Sequence, residues 1–217
     1  MLIQNQVGPI ATTTSISAGL QAPARAGQLG DMIVSELHGR YYETTYRRAM
    51  FTGATQGVIA TATVAGLTTA TTGVPVLYNP IGNTNNVAIT KVSIAFVLAP
   101  AAPVAYGIAT GFNGATAISG TLTSVAPKSR YIGLGAAPTA AMYFSAAITL
   151  PTAPTLDIIL GVADTGAITT TPVGPQAYVD LEGSIILPPG GYAVIYTSAV
   201  MVANSLLSSF QWEEVPI

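Results

Sequence analysis

"TKVSIAFVL", residues 90–98, places Val92, Ile94, Phe96 and Leu98 at every second position, with Lys91 and Ser93 between them. A period of two sends successive side chains to opposite faces of an extended chain, so this stretch reads as a strand with one apolar face. The same reading extends outward. "VIATATV" (58–64) sets Val58, Ala60, Ala62 and Val64 against Thr61 and Thr63, and "AMYFSAAITL" (141–150) and "TLDIILGV" (155–162) are separated by Pro151 and Pro154. "AYVDLEGSIIL" (177–187) puts Tyr178, Asp180 and Glu182 opposite Val179 and Leu181. "GYAVIYTS" (191–198) alternates Tyr192, Val194 and Tyr196 with Ala193 and Ile195, and "LLSSFQW" (206–212) gathers Leu206, Phe210 and Trp212 on one face. Turn-forming clusters lie between the runs: "NPIGNTNN" (79–86), "GFNG" (111–114) and "PPGG" (188–191). No long amphipathic helix interrupts them. The pattern predicts an all-β chain folded as an antiparallel β-sandwich of about eight or more strands.

Charge is scarce. The 217 residues include seven basic and nine acidic side chains, one histidine and no cysteine, for a net charge of −2. Disulfide and thiolate chemistry are excluded, and a zinc site is not expected. Bulk electrostatics points to neither a nucleic-acid partner nor a lipid-headgroup partner. The uncharged window 92–111 is apolar enough to suggest a membrane span. Pro100 and Pro103 interrupt it, however, and two strands joined by a proline loop are expected instead. "MLIQNQVGPI" has no basic start and no sustained apolar run, so no signal peptide is expected. Several strands carry Ala and Thr on both faces, where a monomer would place Lys and Glu outward. Such faces predict packing against other subunits.

The charges are also uneven. Arg25, Asp31, Glu36, Arg40, Glu43, Arg47 and Arg48 fall within 25–48, whereas 49–90, 92–127, 131–156 and 183–212 have none. This divides the chain into an N-terminal docking arm, 1–50, and a β-sandwich body, 51–217, that oligomerises. "RYYETTYRR" (40–48) interleaves aromatics with arginine, but residues 25–48 carry a formal charge of only +1. A Tyr- and Arg-rich protein interface fits better than a nucleic-acid groove. The partner-docking residues expected are Glu36, His38, Arg40, Tyr41, Tyr42, Arg47 and Arg48.

Little in the sequence points to catalysis. Asp164-Thr165-Gly166 follows an apolar run as in aspartic proteases, which share one proton between two such carboxylates. Three residues are a weak match, and an Asp-Gly turn after a strand is the ordinary reading. "GLGAAP" (133–138) lacks phosphate-loop spacing and reads as a loop. Ser35, Glu36 and His38 are neighbours in sequence, which does not make them converge in space. No catalytic residue, cofactor or metal is expected. Phe210 and Trp212 are read as core anchors of the last strand. Glu213 and Glu214 are read as solvating its exit from the core, with Pro216 ending its pairing.

"GQLGDMIVSELHGRYYETTYRR" (27–48) resembles the start of a group of tailed-bacteriophage virion proteins. "YNPIGNTNNVAITKVSIAF" (78–96), "ILPPGGYAVIYTS" (186–198) and "SSFQWEEVPI" (208–217) are similar to later parts of the same pattern. The resemblance implies a head decoration, or cement, protein with a jelly-roll-like body, often trimeric. It would lie on the outer surface of the capsid with the major capsid protein as partner, and it would have no catalytic residues. A head-fibre or tail module that binds a receptor or glycan is the alternative. Loops near Tyr106, Phe112 and Tyr131 would form its pocket.

Overall fold

The computed structural model describes residues 39–55, 67–71, 74–97, 100, 102–133, 135–163, 177–199 and 206–217. "VIATATV", Glu36, His38 and Asp164 lie outside these residues. A one-turn helix, α1 (Tyr42–Tyr46), precedes β1 (Met50–Ala54), β2 (Ala70–Thr71), β3 (Val74–Tyr78) and β4 (Asn85–Phe96). Next come β5 (Val104–Phe112), β6 (Ser119–Val125), β7 (Lys128–Ser129) and β8 (Ala141–Thr149). The chain ends with β9 (Thr155–Ala163), β10 (Ala177–Leu187), β11 (Gly191–Thr197) and β12 (Leu206–Pro216). Residues Glu43–Ile217 form one compact unit.

The strands form an antiparallel two-sheet sandwich, as the alternation predicts. A five-stranded sheet has the order β10-β4-β12-β1-β7, and the other runs β2-β8-β3-β11-β5-β9, with β6 also pairing with β8. Among the described residues, no two strands consecutive in sequence are hydrogen-bonded to each other. The apolar window 92–111 is the end of β4 and most of β5, in different sheets. No helix among the described residues is long and apolar enough to cross a membrane.

Parity decides what each strand buries. Val92, Ile94 and Phe96 of β4, Ala193 and Ile195 of β11, and Leu206, Phe210 and Trp212 of β12 meet in the core between the sheets. Tyr192 and Val194 face the other side of their sheet, joining Val76, Tyr78, Ala109, Ile118, Ile148 and Leu150 in a second cluster. β11 is therefore buried on both faces, which explains why its sequence is almost continuously apolar. The turn feeding it needs glycine. Gly190 has φ +91°, and a Cβ there would lie 2.5 Å from the Asn113 carbonyl oxygen.

A shared irregularity bends the smaller sheet. Opposite β12, Gln211 pairs with Lys91 and Trp212 with Ile89, so Thr90 is an extra residue. Opposite β10, Lys91 pairs with Asp180 and Ile89 with Ile185, so four residues of β10 face Thr90. Glu182 (φ 55°) and Gly183 (φ 82°) take up the bulge. The Thr90 hydroxyl donates to the Gln211 carbonyl (3.0 Å), satisfying a buried group at the break.

Trp212 is fully buried, with its ring 6.2 Å from that of Phe51. Trp212→Ala is expected to cost about 3–5 kcal/mol. Denaturant unfolding followed by far-UV circular dichroism measures the loss.

Candidate functional site

Three features stand out. The first is a buried polar clamp at one end of the sandwich. Glu214 is buried, contrary to the expectation of a solvated exit. Its carboxylate accepts hydrogen bonds from the Thr139 N–H (2.9 and 3.0 Å), the Thr139 hydroxyl (2.6 Å), the Ala140 N–H (2.9 Å) and the Trp212 indole N–H (3.3 Å). β12 continues past it to Pro216, whose pairing with Asn85 is the last of the ladder. The physical reason is parity: Leu206, Ser208, Phe210, Trp212 and Glu214 all point inward, where residues 139 and 140, leading into β8 of the other sheet, supply donors. Thr139 Oγ1 also accepts from Asn83 Nδ2 (2.9 Å) and Asn85 Nδ2 (3.2 Å), while Asn83 donates to Asn79 Oδ1 (2.6 Å). Asn79, fully buried, donates to the carbonyls of Asn85 and Leu187 (both 2.9 Å).

The second feature is a basic edge. α1 ends in a left-handed cap: Ala49 N–H donates to the Thr44 carbonyl and Arg48 N–H to that of Thr45 (both 3.0 Å), with Arg48 at φ 62°. Glycine usually holds that position, so an arginine there is unusual. Arg47 and Arg48 line a hollow of about 570 Å³ with Phe51, Glu213 and Pro216. A second hollow, about 670 Å³, is lined by Lys128, Arg130, Tyr131 and Ile132. Ala136 and Ala137 line both. The rings of Tyr46 and Tyr131 lie 6.1 Å apart. Arg48, Lys128 and Arg130 are exposed, and none forms a salt bridge among the described residues.

The third feature is the opposite side of the molecule. The edge strands β9 and β10 expose Ile159 (63%), Val162 (60%), Tyr178 (67%) and Ile186 (59%). A shallow hollow of about 410 Å³ nearby is lined by exposed Phe112, by Thr110, Thr155 and Asp157, and by Ser184–Pro188. The Thr110 hydroxyl donates to the Asp157 carboxylate.

Of the residues expected from sequence, Phe210 and Trp212 are fully buried in the core between the sheets. Arg47 and Arg48 reach the basic hollow, whereas Arg40, Tyr41 and Tyr42 belong to the segment ahead of the compact unit. The Arg40 guanidinium lies 5.6 Å from the Tyr41 ring centroid. Tyr106 is not a loop residue. It is buried in β5 with its ring 5.1 Å from that of Phe96, because its parity faces the core. Sequence reading missed Lys128 and Arg130, and named Tyr131 only for the pocket of the alternative reading. The signal was "KSRY", a basic–aromatic cluster between two long uncharged runs.

Burial raises the Tyr106 and Tyr192 phenols above the ordinary tyrosine value, so neither is poised as a phenolate. Among the described residues, no group of three or more His, Cys, Asp or Glu side chains could hold a metal ion. The fold is that of an antiparallel β-sandwich. Comparison with family models, curated proteins and solved structures finds no match.

Glu214→Gln would place an amide NH₂ where backbone donors now converge. Each donor left unpaired costs about 1–3 kcal/mol. Unfolding midpoints and the near-ultraviolet signal of Trp212 check this. Glu213, half-buried beside Met50 and Ala88 in register, has its carboxyl raised by burial. The folded chain then holds that proton more tightly than the unfolded chain does. Stability from this group is unaffected below the ordinary glutamate value, falls as pH rises from there to the raised value, and stays reduced above it. Glu213→Gln is expected to remove that fall and to be the more stable protein at neutral pH. Thermal melts at a series of pH values from about 4 upward test the sign.

Proposed function

We propose that this chain is a non-enzymatic structural protein of a tailed-bacteriophage virion, a decoration or cement protein on the outer surface of the head. Its partners are the major capsid protein and further copies of itself, most simply as a trimer. The observation that carries this reading is the exposed apolar set Ile159, Val162, Tyr178 and Ile186 on the adjoining edges of two sheets, in a chain so poor in charge. Such a set favours burial against other subunits. The four segments that resemble virion proteins support the assignment to a particle.

In this mechanism the body spans neighbouring capsomers, and area buried only on the assembled shell stabilises that state by mass action. The N-terminal segment docks. Arg40, Tyr41, Tyr42, Arg47 and Arg48 supply planar cations and amphipathic rings suited to carboxylates and backbone carbonyls, and Glu36 and His38 are the further docking residues expected from the sequence.

A second reading, a receptor- or glycan-binding virion module, is favoured by the hollow that brings the exposed Phe112 ring beside Asp157 and two threonines. A ring for stacking with a carboxylate and hydroxyls for hydrogen bonding is suitable sugar-binding chemistry. Loss of glycan binding in Phe112→Ala would select it.

Removing residues 1–42 leaves the compact unit Glu43–Ile217. The truncated body is expected to stay folded and oligomeric but to co-sediment poorly with heads stripped of the native copy. Full occupancy by the truncated body would place the anchor elsewhere. Cryo-EM of the particle locates the chain, and density on the tail would overturn the decoration reading.

A further inference from the structure

We propose that the β7 edge of the five-stranded sheet is a docking surface for an acidic protein segment, an extended chain with carboxylates at alternate positions and an apolar residue next in the same row. This deepens the docking in the proposed function by giving the partner a chemistry. Its test uses no particle, so its failure and the failure of the virion reading are separate results.

The surface starts from three cations. Arg48, Lys128 and Arg130 are exposed, and their side chains have no hydrogen-bond or ion-pair partner among the described residues. Lys128 pairs with Thr52 and Ser129 with Phe51, and the Arg130 N–H donates to the Met50 carbonyl, so strand pairing carries on through Arg130. Exposure alternates along the same stretch. Lys128, Arg130 and Ile132 are exposed, Ile132 to 91%, whereas Ser129 and Tyr131 are half-buried. Side chains two residues apart on an extended chain lie about 7 Å apart, so a second extended chain can match Lys128 and Arg130 with alternate carboxylates. Arg48 stands across Ala136 and Ala137, whose small side chains line both its hollow and that of Lys128 and Arg130. The carboxylates lining these hollows are Glu213, half-buried and separated from Arg130 by β1, and Glu214, taken up by the clamp.

Arg48 adds a second observation. It holds φ 62°, where folding alone would favour glycine. A side chain kept at such a position points to a use for it. The occupant is a protein segment rather than a nucleic acid. Nucleic-acid affinity grows with the number of phosphates neutralised, and three cations in a chain of net charge −2 neutralise few. Ile132, in the same row, offers an apolar contact that a peptide side chain fills. β7 has only two residues, so side chains rather than backbone pairing carry the recognition.

The test measures fluorescence anisotropy of a labelled peptide, Leu-Thr-Glu-Thr-Glu-Thr-Leu, with the full chain. The peptide presents the pattern in either chain direction. Wild type is expected to bind it, more weakly as salt rises. Lys128→Gln and Arg130→Gln should each weaken binding about threefold, and together about tenfold. Arg48→Gly should also weaken it about threefold while the melting temperature holds or rises, a combination that loss of folding does not produce. A peptide of the same composition with its glutamates adjacent, and one with glutamine in their place, should bind more weakly than the original. The glutamine peptide removes the charges from the probe, so the question is decided even where a variant fails to fold. Absence of binding by wild type, folded variants that bind as wild type does, or equal binding of the rearranged peptide overturns the proposal. Tighter binding of a single-stranded oligonucleotide of equal charge overturns it in favour of a nucleic acid.

Discussion

A carboxylate buried where two sheets meet holds this sandwich together at one end. Glu214 belongs to β12 of the smaller sheet, and its acceptors are filled by N–H groups entering β8 of the larger one and by the indole of Trp212. Removing a carboxylate from water is costly unless donors replace the water, and here they do so in a fixed geometry. The bond to Trp212 links two requirements. The largest side chain of the core also needs a partner for its N–H, and its neighbour two residues on supplies one. Asn79, Asn83, Asn85 and Thr139 carry the network to the ends of β3 and β10 and the start of β4, so five strands and a loop depend on one set of polar contacts. Networks of this kind stabilise when complete and are costly when one member is lost.

With the sheets fixed at that end, the topology separates chemistry from packing. Every hydrogen-bonded pair among the described strands joins segments distant in the chain, so the central strands β4, β12 and β11 are covered by many elements. Their charges are Lys91 on β4 and Glu213 and Glu214 on β12, while β11 has none. Lys128, Arg130, Asp180 and Glu182 lie on or beside edge strands, where solvent reaches them. The Thr90 bulge acts in the same direction. It satisfies its own hydroxyl and forces β10 to loop out opposite it, which blunts an edge that would otherwise invite another strand.

The strands β4, β5 and β8 to β12 were legible in the sequence, whereas β1, β2, β3, β6 and β7 were not read from it. Alternation is a local property, and Val92, Ile94 and Phe96, or Leu206, Phe210 and Trp212, announce a buried face whatever lies opposite. The glycine turn before β11 was legible for a similar reason, since a left-handed backbone selects its own residue. The parity that buries Trp212 continues to Glu214. The general rule that carboxylates seek water pointed the other way, and what reverses it is a pair of backbone donors 75 and 74 residues away in sequence. Likewise, no local pattern brings the hollow of Arg47 and Arg48 beside that of Lys128 and Arg130. β1 pairs with β7, and the Arg130 N–H donates to the Met50 carbonyl. The sequence by itself determined which residues extend and which face of each strand is apolar, because those depend on neighbours one or two positions away. Only the tertiary structure decided which strands pair, which acid is buried and which charges share an edge, because those depend on partners that the chain meets only after folding.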